Sequence, residues 1–111
     1  MIQGYVNIMD IRALVERIAF IRTRANLSAR KLSLAIGKTD GYINGLEARK
    51  NFAPTFETLM AILDACNTTV AEFFYYDIEQ YARDKEMIDL FGMCGDEKKS
   101  IATAVLRLKA S

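Results

Sequence analysis

Helical periodicity is the feature that most constrains this chain, because apolar residues recur three and four positions apart along nearly all of it. Pro54 is the only proline, and the strict apolar–polar alternation of half-buried strands is almost absent. We therefore expect an all-α fold. Residues 1–8 lack helical periodicity, so we predict an N-terminal arm over residues 1–9, with a short strand there as the only sheet allowed.

Capping residues and helix breakers divide the rest of the chain into seven predicted helices. The predicted N-caps are Asp10, Ser28, Thr39, Thr55, Thr69 (in a capping box with Glu72), Asp77 and Asp96. Gly37 is expected to end the second helix, and the segment from Gly92 to Gly95 to break the sixth. The predicted inward stripes are Ile11, Leu14, Val15 and Ile18; Leu32 and Ile36; Ile43 and Leu46; Phe56, Leu59, Met60 and Leu63; Phe73 and Phe74; Ile78, Tyr81, Ile88 and Phe91; and Ile101, Ala104, Val105 and Leu108.

Charge is unevenly distributed between the two halves of the chain. Residues 1–50 contain nine lysines and arginines against four acidic residues, whereas residues 51–111 contain six against ten. A basic half suggests contact with a polyanion, although ordinary scatter of surface charge fits the same counts.

Several classes of protein are disfavoured by what the sequence lacks. No apolar run is long enough for a membrane span and the N-terminus does not resemble a signal peptide, so we expect a soluble cytoplasmic protein. The chain has no histidine, and its two cysteines are far apart in sequence. We therefore predict no enzyme and no metal site. The sequence shows no cofactor or small-molecule ligand site, and it does not tell whether an inducing ligand exists.

A Gly-Lys-Thr triplet at residues 37–39 raises the question of a nucleotide-binding P-loop. That motif needs glycine five residues before its Gly-Lys and a strand leading in. Leu32 holds that position, and the preceding segment is amphipathic with a helical period. The better interpretation is the glycine-containing turn between two short helices, a helix-turn-helix.

The same region resembles a known family of DNA-binding domains. From about residue 18 to 74, the stretches IRTRANLSARKLSLAIGKTDGYINGLE and PTFETLMAILDACNTTVAEFF are similar to the Cro/repressor-type helix-turn-helix domain, also called the XRE family. The resemblance implies a lambda-repressor-like five-helix domain over residues 10–76, with the motif at 28–47 and a recognition helix at about 39–47. It also implies a largely buried ion pair between Arg22 and Glu47, and double-stranded DNA as the partner of a bacterial or phage-type transcriptional regulator, most simply a repressor.

The residues that the resemblance places at the DNA are mostly polar or basic. They are Ser28, Ala29, Arg30, Lys38, Thr39, Asp40, Gly41, Tyr42, Asn44, Gly45, Arg49 and Lys50. Exposed amides at the start of the Thr39-capped helix and the cations around it would attract phosphate. Arg49 and Lys50 would lie on flanking phosphates, and Asn44 could pair with adenine.

Two glycines depart from the expected pattern of the recognition helix. If Ile43 and Leu46 point inward, the 100° step of a helix puts Gly41 and Gly45 at the centre of the outward face, where family members read bases. Either the helix approaches the groove closely and uses its backbone and neighbours such as Tyr42, or base reading is partly lost. In the second case the domain would be a protein–protein interaction module, antitoxin-like or anti-repressor-like, with weak or no DNA binding.

Residues 77–111 form a predicted helical hairpin beyond the resemblance. Its two apolar stripes cannot both be buried within a hairpin alone. The hairpin either makes a homodimer or packs back on the domain, and the sequence leaves both open.

Overall fold

A computed structural model of the chain describes residues 9–49 and 51–108, and all the regular structure in these residues is helical. The seven helices are α1 (Ile11–Arg24), α2 (Ala29–Ala35), α3 (Tyr42–Arg49), α4 (Phe56–Ala65), α5 (Val70–Phe73), α6 (Tyr81–Met93) and α7 (Asp96–Leu106). The prediction of an all-α fold is therefore confirmed. The strand considered for residues 1–8 lies outside the described residues, as does the predicted arm except for Met9.

The chain divides into two compact units, residues 1–78 and 79–111. Helices α1 to α5 lie in the first unit, and α6 and α7 lie in the second. The predicted boundary between residues 76 and 77 is two residues before the observed division.

The first unit has one apolar core to which each of its five helices contributes. The buried core residues are Val15, Ile18, Ile21, Leu32, Ile43, Leu46, Leu59, Ile62, Leu63, Cys66, Phe73 and Ile78. Leu14, Ile36 and Met60 are partly buried against them. Short helices that are marginal alone in water are stabilised here by packing an apolar face against their neighbours.

Three apolar residues of the first unit that were predicted to face inward are exposed: Ile11 (43%), Phe56 and Phe74. Phe56 was expected on the inward face of α4, but it is 74% exposed, and Ile62 is fully buried instead. The 100° helical step puts Phe56 about a quarter turn from the centre of the buried face. Phe74 lies just beyond the end of α5 and is 44% exposed, whereas Phe73, the last residue of the helix, is fully buried.

Four predicted side-chain caps are present in the first unit. The side chains of Asp10, Ser28, Thr55 and Thr69 each accept a hydrogen bond from a main-chain N–H in the first turn of the helix that follows. The capping box at Thr69 is formed on one side. The Glu72 N–H donates to Thr69 Oγ1, while the Glu72 carboxylate accepts from Arg24 at 2.6 Å.

Three helices of the first unit end in the same way, with a residue in the left-handed region. These residues are Asn26 after α1, Gly37 after α2 and Asn67 after α4. In each case the next N–H bonds back to a carbonyl five residues earlier, for example from Lys38 to Ser33 at 2.9 Å. This closure satisfies carbonyls that a helix end otherwise leaves unpaired.

The second unit contains helices but no buried side chain among its described residues. Two expected caps are wrong there. Helix α6 begins at Tyr81, four residues after Asp77, and α7 has Gly95 at its N-cap position, so that Asp96 is its first helical residue. The break between the helices falls at Cys94 and Gly95, and Gly92 is still helical.

Candidate nucleic-acid interface

Helices α2 and α3 are joined by a tight turn whose left-handed position is held by a glycine, Gly37. Gly37 has a φ of +78°, a conformation that side-chain-bearing residues rarely adopt. The N–H groups of Gly37 and Lys38 donate to the carbonyls of Leu34 and Ser33, so the turn is closed by main-chain bonds. The Gly-Lys-Thr triplet is therefore part of a helix-turn-helix connection, and the element directly before it is helix α2.

A buried serine fixes α2 against the start of α3. Ser33 is fully buried; its hydroxyl donates to the Ala29 carbonyl at 2.8 Å and accepts from the Ile43 N–H at 2.9 Å. A buried hydroxyl without partners would be costly, whereas this one is satisfied on both sides. Ser33 was not predicted from the sequence. The available signal was a polar residue directly beside Leu32, one turn before Ile36, on the stripe that the core buries.

Arg22 and Glu47 form the ion pair that the family resemblance implies. Arg22 Nε and Nη2 donate to the two carboxylate oxygens of Glu47 at 2.7 and 3.0 Å, and Arg22 Nη1 donates to the Leu27 carbonyl at 2.9 Å. The side chains are 20% and 18% exposed. The hydrogen bonds with Glu47 raise the pKa of Arg22 above its ordinary value. The pair connects the end of α1 to the last turn of α3 and so helps to orient the motif.

The start of α3 differs from its prediction. The helix begins at Tyr42, three residues after Thr39, so Thr39 is not its N-cap. The Thr39 carbonyl accepts from the Tyr42 N–H at 3.1 Å in a turn, and the Gly41 carbonyl accepts the helical bond from Gly45. With Ile43 bonded to Ser33, two of the first amides of α3 already have partners. The expectation that unpaired amides at this helix start attract phosphate is wrong for these two.

Exposed cations lie along the motif, and two of them, Lys38 and Arg30, contact an aromatic ring or a carboxylate. Lys38 Nζ lies 5.3 Å from the centre of the Tyr42 ring, a cation–π contact. Arg30 Nε lies 3.7 Å from an Asp40 carboxylate oxygen, with both side chains about two-thirds exposed (70% and 66%). An exposed pair of this kind contributes little to stability, but it partly offsets the repulsion that Asp40 would exert on phosphate.

The outward face of α3 carries little side-chain volume, as expected. Ile43 and Leu46 are fully buried, Asn44 is exposed, and a Cβ added at Gly41 would meet open space. Beside Gly45 lies Arg49, whose Nε is 3.3 Å from the Gly45 carbonyl oxygen.

The structure places nearly all the predicted DNA-contacting residues on α2, α3 and their connection. Ser28, Arg30, Lys38, Thr39, Asp40, Gly41, Asn44 and Arg49 are exposed, and Ala29, Tyr42 and Gly45 are partly buried. Lys50 lies outside the described residues.

Two further arginines stabilise the first unit and were not predicted from the sequence. Arg17 donates to the carbonyls of Phe73, Tyr75 and Tyr76 beyond the end of α5; burial lowers its pKa, and the charge of Asp77 opposes that shift. Arg24 donates to Glu72 at 2.6 Å and to Thr68 at 3.0 Å. Their partners are roughly 44 to 59 residues away along the chain, so local periodicity carries no signal for them.

Other kinds of site find little support in the described part of the chain. No group of cysteine and acidic side chains there is arranged to hold a metal ion. Among the same residues, no helix combines the length and apolarity needed to cross a membrane. Cys66 is buried in the core, and burial raises the pKa of its thiol.

Comparison with known proteins supports the assignment that the geometry suggests. Residues 18–73 match a helix-turn-helix family model, which describes a DNA-binding, non-enzymatic domain. No match to the chain was found among the curated proteins or the solved structures. The matched residues make up half of the chain and include α2, α3 and the ion pair that orients them, so the protein belongs to the Cro/C1-type (XRE) helix-turn-helix family.

Proposed function

We propose that this protein is a transcriptional regulator, in the simplest case a repressor, that binds double-stranded DNA in a sequence-dependent way through α2 and α3. The observation that carries the proposal is the oriented motif. Ser33 ties α2 to the start of α3, and the Arg22–Glu47 pair ties α3 to α1, while polar and basic side chains of α2 and α3 stay exposed. These exposed side chains are suited to contact with a duplex, in which cations position the protein on phosphates and polar groups bind base edges.

Lys38 is the proposed phosphate contact, because its side chain is exposed at the connection between the two helices and no ion pair within the described residues includes it. Asn44 is the proposed adenine contact, through its amide. The cationic side chains, rather than the amides at the start of α3, provide the attraction to phosphate. Lys50, proposed from the sequence as a second phosphate contact, is outside the described residues.

We propose that the active form is a homodimer made through α6 and α7. A groove between these helices is almost wholly apolar, and the surrounding side chains are exposed, Leu106 at 67% and Val105 at 59%. Two half-sites about one helical turn of DNA apart, roughly 34–36 Å, would suit two copies of the motif.

A second candidate function is favoured by one observation, the bare surface at Gly41. Without side chains at the centre of its outward face, α3 presents a shallow surface that a protein partner could also cover. In that case the domain would be an interaction module with weak or no DNA binding.

Binding to random duplex fragments, followed by sequencing of the bound fraction and a salt titration, tests the proposal. We expect an enriched sequence and an affinity that falls steeply with salt. Lys38→Ala should weaken binding to all duplexes alike and reduce the slope of log affinity against log salt by about one unit. Asn44→Ala should blur one base pair only. If the unaltered protein shows neither enrichment nor salt-dependent binding, the interaction module replaces the regulator.

Sedimentation at tens of micromolar tests the dimer separately. Leu106→Glu should shift the protein to monomer, whereas Ser100→Glu, the same charge at another exposed position of α7, should not. A monomer at every concentration of the unaltered protein rejects the dimer and leaves the DNA-binding proposal intact.

A further inference from the structure

The outward face of α3 contains a cation, Arg49, that the sequence analysis assigned to a flanking phosphate. Arg49 is the last residue of α3 and lies one turn after Gly45. Its side chain folds back along the helix, with Nε 3.3 Å from the Gly45 carbonyl oxygen. Its Nη2 atom lies 3.7 Å from the position that a Cβ at Gly45 would occupy. The guanidinium thus covers the place from which a side chain at position 45 would emerge.

Phe52 also contacts the Arg49 guanidinium. The guanidinium carbon of Arg49 lies 5.1 Å from the centre of the Phe52 ring, which is within the range of a cation–π contact. Within the described residues no carboxylate pairs with Arg49. The guanidinium is therefore held by a carbonyl and an aromatic face, while its charge is not neutralised by a neighbouring acid.

We propose that Arg49 is a specificity-determining residue that reads guanine in the major groove from above Gly45. The proposal rests on the proposed DNA binding through α2 and α3. A guanidinium is planar and presents two parallel N–H donors, which match the O6 and N7 acceptors of guanine. A Cβ at position 45 would already be in van der Waals contact with the folded-back arginine, so a longer side chain there would compete with it for space. Arg49 was expected from the sequence to lie on a flanking phosphate, and its position over Gly45 assigns it a base contact instead.

The small residues on the outward face then allow a preformed arginine contact. Fixing a long side chain costs rotamer freedom, and a contact formed in advance reduces that cost at the moment of binding. Phe52 and the Gly45 carbonyl provide such a contact. Arg49, from the last turn of α3, thus provides the base contact that a side chain at position 45 would otherwise make.

Fragment selection with matched variants tests the proposal. The unaltered protein should select guanine at one position of its site. Arg49→Lys keeps the charge but lacks the planar fork, so the preference for guanine should fall roughly 10-fold or more while the salt slope stays the same. Phe52→Leu keeps the arginine but removes the ring, and should lower the same preference to a smaller extent. Gly45→Gln, which refills the space, should lower it by displacing the guanidinium.

Lys38→Ala provides the contrast, because loss of a phosphate contact should weaken all duplexes alike and leave the guanine preference unchanged. If Arg49→Lys retains the full preference, or if Arg49→Ala weakens all duplexes equally, Arg49 is only a phosphate contact and the inference is overturned. If the unaltered protein binds no duplex, the proposed function itself fails. These two failures are distinguished by the behaviour of the unaltered protein.

Discussion

The two units of this chain are built from similar helices but differ in what those helices bury. In the first unit, five helices enclose a core with Phe73 and Ile18 fully buried. In the second, α6 and α7 carry apolar side chains such as Met87 and Ile101, which are 61% and 60% exposed. An apolar stripe specifies that a helix has an inward face, but a core forms only where several faces meet from different directions. Two helices supply too few faces.

The same difference extends to polar contacts. In the first unit, buried or partly buried side chains connect segments far apart in sequence, as in the bond from Ser33 to Ile43 and the pair of Arg22 with Glu47. In the second unit, Lys85 and Asp89 form an exposed pair within one helix. Contacts of the first type fix tertiary structure, whereas those of the second mainly support a helix.

The largest expected contrast is between two phenylalanines. Phe73→Ala should destabilise the protein by about 3–5 kcal/mol, because it empties a fully buried site. Phe91→Ala should cost about 1 kcal/mol or less, because Phe91 is already 36% exposed. Urea unfolding at low protein concentration measures both. Equal costs would show that the second unit is covered in solution, and would contradict the contrast.

The two cysteines provide a second contrast, one in each unit. Cys66 is 3% exposed and burial raises the pKa of its thiol, whereas Cys94 is only partly buried. At pH 8 we expect an alkylating reagent to modify Cys94 about a thousandfold faster, since Cys66 reacts only through unfolding. Single-cysteine variants, Cys66→Ala and Cys94→Ala, assign the rates by mass spectrometry. Comparable rates would mean that the core opens readily.

The pH dependence follows from the same thiol. Because the pKa of Cys66 is raised in the folded state, the unfolded chain loses its proton first as pH rises above about 9. The free energy of unfolding should therefore decline above that pH. Cys66→Ala should flatten the decline, and a decline of the same steepness in this variant would contradict the assignment.

Ion pairs give a third contrast. Glu47→Gln should destabilise the first unit by about 3 kcal/mol, because it leaves the charge of Arg22 without its partner. This is near the lower limit for a buried pair, since the side chains of Arg22 and Glu47 are each about a fifth exposed to solvent. Asp89→Asn breaks an exposed pair in α6 and should leave the thermal midpoint almost unchanged. If the two changes have the same small effect, the Arg22–Glu47 pair does not stabilise the motif.

The smallest expected effects come from two glycines and have opposite signs. Gly37→Ala should destabilise by about 1 kcal/mol, since its φ of +78° strains any residue with a Cβ. Gly92 lies in α6, and a Cβ added there would meet open space. Gly92→Ala should therefore stabilise that helix by roughly 0.5 kcal/mol. Circular dichroism during thermal unfolding measures both. The same sign in both variants would remove the distinction.

Local features were predictable from the sequence because their causes are local. The 3.6-residue period places Ile18, Ile43 and Leu46 in the core, and the side chains of Ser28 and Thr55 cap the helices that follow them. The glycine turn at Gly37 also follows from neighbouring residues alone. The Arg22–Glu47 pair was accessible only through the family resemblance, since 25 residues separate the partners.

Tertiary structure decided the features that depend on residues distant in sequence or on the number of available partners. Thr39 is a favourable cap by residue type, but α3 begins at Tyr42. The buried Ser33 hydroxyl accepts the hydrogen bond of the Ile43 N–H in the first turn of α3. Asp96 is likewise a good cap by type, yet Gly95 occupies that position. The periodicity of α7 resembles that of α1, but α1 packs within a five-helix unit and buries Val15, Ile18 and Ile21, whereas the stripe of α7 stays exposed. A sequence encodes which side of a helix is apolar through short-range periodicity, but only the folded chain determines which faces meet, because burial requires a second surface at the right distance and angle.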